Sequence, residues 1–168
     1  MSEPQLRIPI GVVVERRKAH SPWVDFVWRP IAVLAGLPDA AAWTVLSQES
    51  DAATFYAGAA EIALYRSEAE NYRRNLAADV PAVWVALTAS DGAAPYQVAA
   101  VTADPAEGEG LTEPGQAIVE AVPMPDIVRE AIAAFVAECP PEPHFAKRKR
   151  DRADPEALAR RGSRLGKP

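Results

Sequence analysis

Cysteine and histidine are almost missing from this chain: Cys139 is its one cysteine, and His20 and His144 are its two histidines. One thiol closes no intrachain disulfide, and three such residues scattered so widely supply no zinc or iron–sulfur ligand set. An isolated cysteine usually behaves as a small hydrophobe, so Cys139 is expected in the core at a helix end. Long apolar runs are missing too. Charge interrupts every apolar stretch well before the roughly 20 residues that cross a bilayer, so no transmembrane helix is expected. The opening Met1-Ser2-Glu3-Pro4-Gln5 places acid where a secretion signal places base, and no small-residue cleavage site follows Ile8–Val14. A soluble, cytoplasmic protein is the expectation. Catalytic signatures are the third absence: no phosphate loop, dinucleotide fingerprint, zinc-peptidase helix or nucleophile elbow occurs. The first apolar run passes into Glu15-Arg16-Arg17-Lys18, where a nucleotide-binding α/β fold turns on glycines. His20 and His144 stand alone beside Pro-rich turns, so no Ser-His-Asp arrangement is expected. Neither a catalytic residue nor a metal site is assigned.

What is present suits one domain. The chain has 168 residues, 49% of them apolar, enough to bury one sizeable core and too few to make two domains the better reading. Ile8–Glu15, Trp23–Leu34, Trp43–Gln48 and Phe55–Tyr65 are β-branched, aromatic or alternating, which predicts strands. Ala19-His20-Ser21-Pro22 and Gly36-Leu37-Pro38-Asp39 supply the turn chemistry between them. A meander is the economical arrangement, with Gly58 marking a bulge. Ser67-Glu68-Ala69-Glu70 reads as a capping box opening a helix that presents Ala69, Tyr72 and Leu76 on one face. Ala82–Thr88 and Tyr96–Val101 form a hairpin across Ser90-Asp91-Gly92, and Ala117–Val122 adds a further strand. Pro125 then opens a helix with Ile127, Val128, Ala131, Ile132, Phe135 and Val136 at helical spacing. The expected fold is α+β: a mostly antiparallel sheet, as a meander or partly open barrel, covered by two helices and followed by a basic tail. Residues 1–139 form the domain, and the Pro140-Pro141-Glu142-Pro143 run opens a spacer and tail over 140–168.

The net charge of −5 conceals a division. Residues 147–168 hold nine basic and three acidic groups, +6, while the other 146 residues hold nine basic and 20 acidic groups, −11. Lys147, Arg148, Lys149, Arg150 and Arg152 suit an interaction tail for an acidic protein surface, on a partner or on the chain's own body, because the acidic body would repel nucleic-acid phosphate; the competing reading is a plain solubilising tail. With Leu158 and Leu165 as its only large apolar residues, the tail cannot order by burial alone.

Arg16-Arg17-Lys18 followed by Ser21-Pro22-Trp23-Val24-Asp25-Phe26-Val27-Trp28-Arg29 is the densest unusual patch. Guanidinium groups stack on rings and fork to phosphate or carboxylate, so Arg16, Arg17, Trp23, Trp28 and Arg29 are candidates to hold a planar anionic ligand. The competing reading divides Trp23, Phe26 and Trp28 between core and sheet surface and leaves the cations solvated; strand aromatics are more often there for packing. Asn71-Tyr72-Arg73-Arg74-Asn75 reads first as the polar face of its helix. Asparagine is mildly unfavourable in helices, which leaves a contact role open for Asn71 and Asn75.

The segments Ile8–Arg17, Ser21-Pro22-Trp23 with Val27-Trp28-Arg29-Pro30, Phe55-Tyr56-Ala57-Gly58 and Lys149-Arg150-Asp151-Arg152 resemble a bacterial family catalogued as domain-of-unknown-function family 3305, over nearly the whole chain. The resemblance implies genes beside those of formate dehydrogenase, with products often labelled molybdopterin-guanine dinucleotide biosynthesis protein A. It implies no catalytic residues. Guanylyltransferases of that name begin with a glycine-rich loop after the first strand, from which Glu15-Arg16-Arg17-Lys18 departs. The expectation is a non-catalytic accessory protein in assembly or cofactor maturation of a molybdenum-dependent formate dehydrogenase. Its partner would be an acidic protein surface, on a formate dehydrogenase subunit or on its own copy. The alternative is a ligand-binding or catalytic protein acting on the molybdopterin guanine dinucleotide cofactor itself, through the five arginines and tryptophans named above.

Overall fold

A computed structural model describes residues 2–112 and 117–141. β1 (Leu6–Lys18) is buried at every position from Ile10 to Glu15, as befits a strand covered on both faces. It accordingly takes a central place. The first sheet runs β2 (Phe26–Ala35), β1, β4 (Ala52–Leu64), β3 (Thr44–Gln48), each pair antiparallel. This order is not a simple meander: β1 takes β4 as its second neighbour, and β3 is displaced to the far edge. Ile10, Val12 and Val14 join the core. Gly11 and Val13 face the other way, where the Tyr56 ring and Pro38 cover Gly11 so closely that a Cβ there would lie 2.8 Å from the ring.

Three bulges adjust this sheet. Val12 pairs with Gly58 but Val13 with Tyr56, leaving Ala57 as an extra residue beside Gly58, whose φ of 131° favours glycine. Gly58 thus marks a bulge, as its position in the sequence suggests. In β2 the register skips Ile31 next to Pro30, a position where a residue without an N–H is tolerated. In β3 it skips Leu46.

The second sheet runs β6 (Tyr96–Thr102), β5 (Ala82–Ala89), β7 (Ala117–Pro123), again antiparallel. The hairpin and the last strand form where the sequence places them. Both sheets are open, and they face each other, with β2 against β7 and β4 against β6. Val83, Val85 and Leu87 of β5 meet Ile10, Val12, Val14, Ile62 and Leu64 in one core.

Three helices complete the α+β architecture. A 3-10 turn (Arg66–Glu68) leads into α1 (Ala69–Leu76), which buries Ala69, Tyr72 and Asn75. The expected capping box is not made: the Ser67 hydroxyl donates to Glu68 at 3.3 Å, and Glu70 pairs with Arg73. The entry is held otherwise, by Gln5 accepting from the Arg66 N–H at 2.8 Å and the Tyr72 hydroxyl accepting from the Tyr65 N–H at 3.0 Å. α3 (Asp126–Ala137) buries Val128, Ile132 and Val136 at the expected spacing, with Pro125 one position earlier than expected, at the N-cap. Arg73 reaches from α1 to the Val136 and Cys139 carbonyls at 2.8 and 2.6 Å, satisfying the last turn of α3. Cys139 is buried and its thiol donates to the Phe135 carbonyl, the core thiol at a helix end that an isolated cysteine predicts.

α2 (Pro105–Gly110), capped by Asp104, lies on the outer side of the second sheet, where Gly108 meets the Trp84 indole. Asn75 ties α1 to the same sheet: its amide donates to the Ala82 and Ala103 carbonyls at 2.8 and 2.9 Å and accepts from the Ala82 N–H at 3.0 Å. Asn71 donates to Glu68 and Asp104, so both asparagines make contacts. α1 and α3 pack together at the end of the sandwich where β1 begins. Among the described residues no helix is long and apolar enough to cross a membrane. The expected tail, with Lys147, Arg148, Lys149, Arg150 and Arg152, lies outside the described residues.

Candidate functional site

Adjacent residues of a strand point to opposite faces, so Arg16 and Arg17 cannot share a site. Arg17 turns outward with Glu15, two residues before it. Arg17 Nε and Nη2 each donate to Glu15 at 3.2 Å, and Arg29 Nε, from the directly opposed position on β2, donates at 3.3 Å. The hydrogen bonds from Arg17 hold the Glu15 carboxyl below its ordinary pKa, against the opposing effect of burial, with Arg29 adding to the lowering. The same contact raises the Arg17 pKa. Arg17 and Arg29 are thereby engaged by their own chain.

Arg16 turns inward, at the end of the sandwich opposite α1 and α3. Trp28 is its cross-strand partner on β2, and Phe55 sits diagonally across β4, opposite Val14. The Arg16 guanidinium carbon lies 4.6 Å from the Phe26 ring centroid, 5.4 Å from Phe55 and 5.7 Å from Trp28, all within cation–π range. Trp28 in turn contacts Trp43 edge-on at 6.0 Å, Phe55 at 5.6 Å and Tyr96 at 5.9 Å. Arg16 makes no ion pair with a carboxylate among the described residues. Of the three arginines on β1 and β2 near this end, it alone keeps its donors for something else.

A cleft of about 630 Å³ opens here, lined by Arg16, Trp28, Ala42, Trp43, Phe55 and the hairpin residues Ala93–Pro95. The two walls come from different sheets, with rings on one side and the β5–β6 loop on the other. Trp43 holds the rim with a φ of 69°, a left-handed conformation that bulky residues rarely adopt and that costs on the order of 1–3 kcal/mol. On the far side of Arg16 is a hollow of about 380 Å³ lined by Lys18, Asp25, Phe26, Gln48, Glu49, Ser50, Asp51 and Ala52. Arg16 stands between the two.

Of the five residues singled out from the sequence, Arg16 and Trp28 meet in the cleft. Arg17 and Arg29 lie on the opposite face, and Trp23 is 89% exposed in the turn between β1 and β2, away from the cleft lining. Trp43, Phe55 and Tyr96 were not singled out. They come from other parts of the chain, and strand pairing together with the packing of one sheet on the other assembles them. Among the described residues no three His, Cys, Asp or Glu side chains are placed to hold a metal ion.

These features define an α+β protein of two facing antiparallel sheets with an aromatic cleft at one end and helices at the other. Residues 9–150 match the model of a family described as protein of unknown function (DUF3305), and the chain belongs to that family. No curated protein matches it, and no solved structure does.

Proposed function

We propose that this chain is a non-catalytic accessory protein, acting by binding, in the assembly or cofactor maturation of a molybdenum-dependent formate dehydrogenase. One observation carries the binding role: among the described residues lining the aromatic cleft, Arg16 is the only ionisable one. A guanidinium does not titrate near neutral pH, and rings, methyl groups and a proline offer neither nucleophile nor proton acceptor. Such a lining suits holding a molecule better than transforming it. The pathway rests on the family resemblance, and the basic residues 147–150 and 152 suit an acidic protein partner.

Deleting the gene in its host should lower formate dehydrogenase activity, with activity restored by the full chain. Normal activity and normal cofactor content in the deletion strain would overturn the reading. The second reading, a protein that binds molybdopterin guanine dinucleotide itself, is favoured by Arg16, which lies against the rings and has no carboxylate partner among the described residues. Cofactor that copurifies with the full chain, and is lost from an Arg16→Met variant, would select it.

A further inference from the structure

We propose that the aromatic cleft takes a planar heteroaromatic ligand bearing one anionic group, in the manner of a purine nucleoside monophosphate. The inference rests on the reading of this cleft as a binding site and names what it binds. Its volume of about 630 Å³ falls within the roughly 300–1,000 Å³ of small-molecule pockets. The ring centroids stand 5.6–6.0 Å apart, in mutual contact, so a ligand does not slide between them. It lies on the aromatic wall, with the Ala93–Pro95 loop closing over its other face.

The anionic group is assigned by Arg16. Cation–π contact with Phe26, Phe55 and Trp28 holds the guanidinium against the rings, between the cleft and the hollow beyond, and no carboxylate among the described residues pairs with it. A planar fork so placed suits a phosphate or carboxylate. The limit to one such group comes from the hollow beyond, where Asp25, Glu49 and Asp51 stand with Lys18. A polyphosphate running past Arg16 would meet those three carboxylates.

Tryptophan fluorescence of the full chain, titrated with AMP, adenosine, ATP and inorganic phosphate, tests this, because Trp28 and Trp43 line the cleft. AMP is expected to quench saturably and to bind roughly tenfold or more tighter than adenosine, as a charge-assisted forked contact requires. ATP should bind more weakly than AMP, and phosphate alone should leave the fluorescence unchanged. In Arg16→Met, AMP and adenosine should become equal; in Arg16→Lys, the AMP preference should shrink without vanishing. That ratio is read within each variant and is insensitive to a modest loss of folded protein. No saturable change up to about 5 mM AMP would overturn the proposal and leave the cleft as a protein-docking surface. Equal binding of AMP and adenosine by the unaltered chain, or tighter binding of ATP, would overturn the assignment of a single anion. Binding as expected alongside normal formate dehydrogenase in the deletion strain would keep this inference and sink the pathway alone.

Discussion

Replacing Asn75 by alanine removes three hydrogen bonds at once from a residue that is 4% exposed. The Ala103 carbonyl loses its bond from the Asn75 amide, and the Ala82 N–H and carbonyl lose theirs. Ala103 is 1% exposed, so its oxygen gains little from water, while Ala82 is half-buried and recovers part of its loss. An unsatisfied buried group costs about 1–3 kcal/mol, and alanine returns under about 1 kcal/mol of helix propensity. The expected net loss is about 2–4 kcal/mol, a large part of the 5–15 kcal/mol typical of a domain. Asn71→Ala is the internal comparison: its amide donates to the Glu68 and Asp104 side chains from a half-buried position, and its loss should cost under about 1 kcal/mol. Urea denaturation of both variants measures the difference as a midpoint shift with unchanged slope. A loss below about 1 kcal/mol for Asn75→Ala, or equal losses for both, would refute the argument that this amide pins α1 to the second sheet.

Three further outcomes follow from the same geometry. Because the Glu15 pKa is lowered on folding, its stabilisation is complete above the ordinary value of 4.5 and is lost as pH falls below it; Glu15→Gln should therefore cost stability near neutrality and little in acid, and a pH-independent difference would contradict the pairing. Gly108→Ala places a Cβ 2.3 Å from the Trp84 ring and should lower stability by about 1–2 kcal/mol, whereas Gly110→Ala, with nothing within 4 Å, should be neutral or stabilising; thermal melts that rank the two the other way would remove α2 from its seat on Trp84. Burial pushes the Tyr72 hydroxyl up to about 12, so alkaline absorbance titration should show a late tyrosine that Tyr72→Phe abolishes, and stability should fall as pH rises past the ordinary 10.0; a single early titration step in the folded chain would count against it.

Strands and hairpins were legible because their signals are local: alternation in β4, turn residues at 90–92, helical spacing in α3. Strand order was not, since nothing near β1 in sequence states that its second neighbour lies some 50 residues on. The capping box failed for a related reason: its two side chains are engaged elsewhere, Ser67 with Glu68 and Glu70 with Arg73, while tertiary contacts from Gln5 and Tyr72 hold the preceding Arg66 and Tyr65 amides. α2 was missed although Asp104-Pro105 and Glu107 form a helix start, because Gly108 and Gly110 weaken its propensity; Gly108 is there for Trp84. Strict alternation along β1 could have separated Arg16 from Arg17 in advance. Trp43, Phe55 and Tyr96 could not have been joined to them, since pairing between strands and sheets, and not spacing along the chain, brings those rings together.

The bulge at Leu46 has a bearing on what can attach to this protein. β3 is a short outermost strand with every residue exposed, including Val45 and Leu46, and such a strand ordinarily offers its free backbone as a template for another chain. The extra residue breaks the repeat of amides and carbonyls after a single regular step, so an incoming strand would lose register almost as soon as it began to pair. Along this edge, strand addition by another copy of the chain is thereby disfavoured at Leu46.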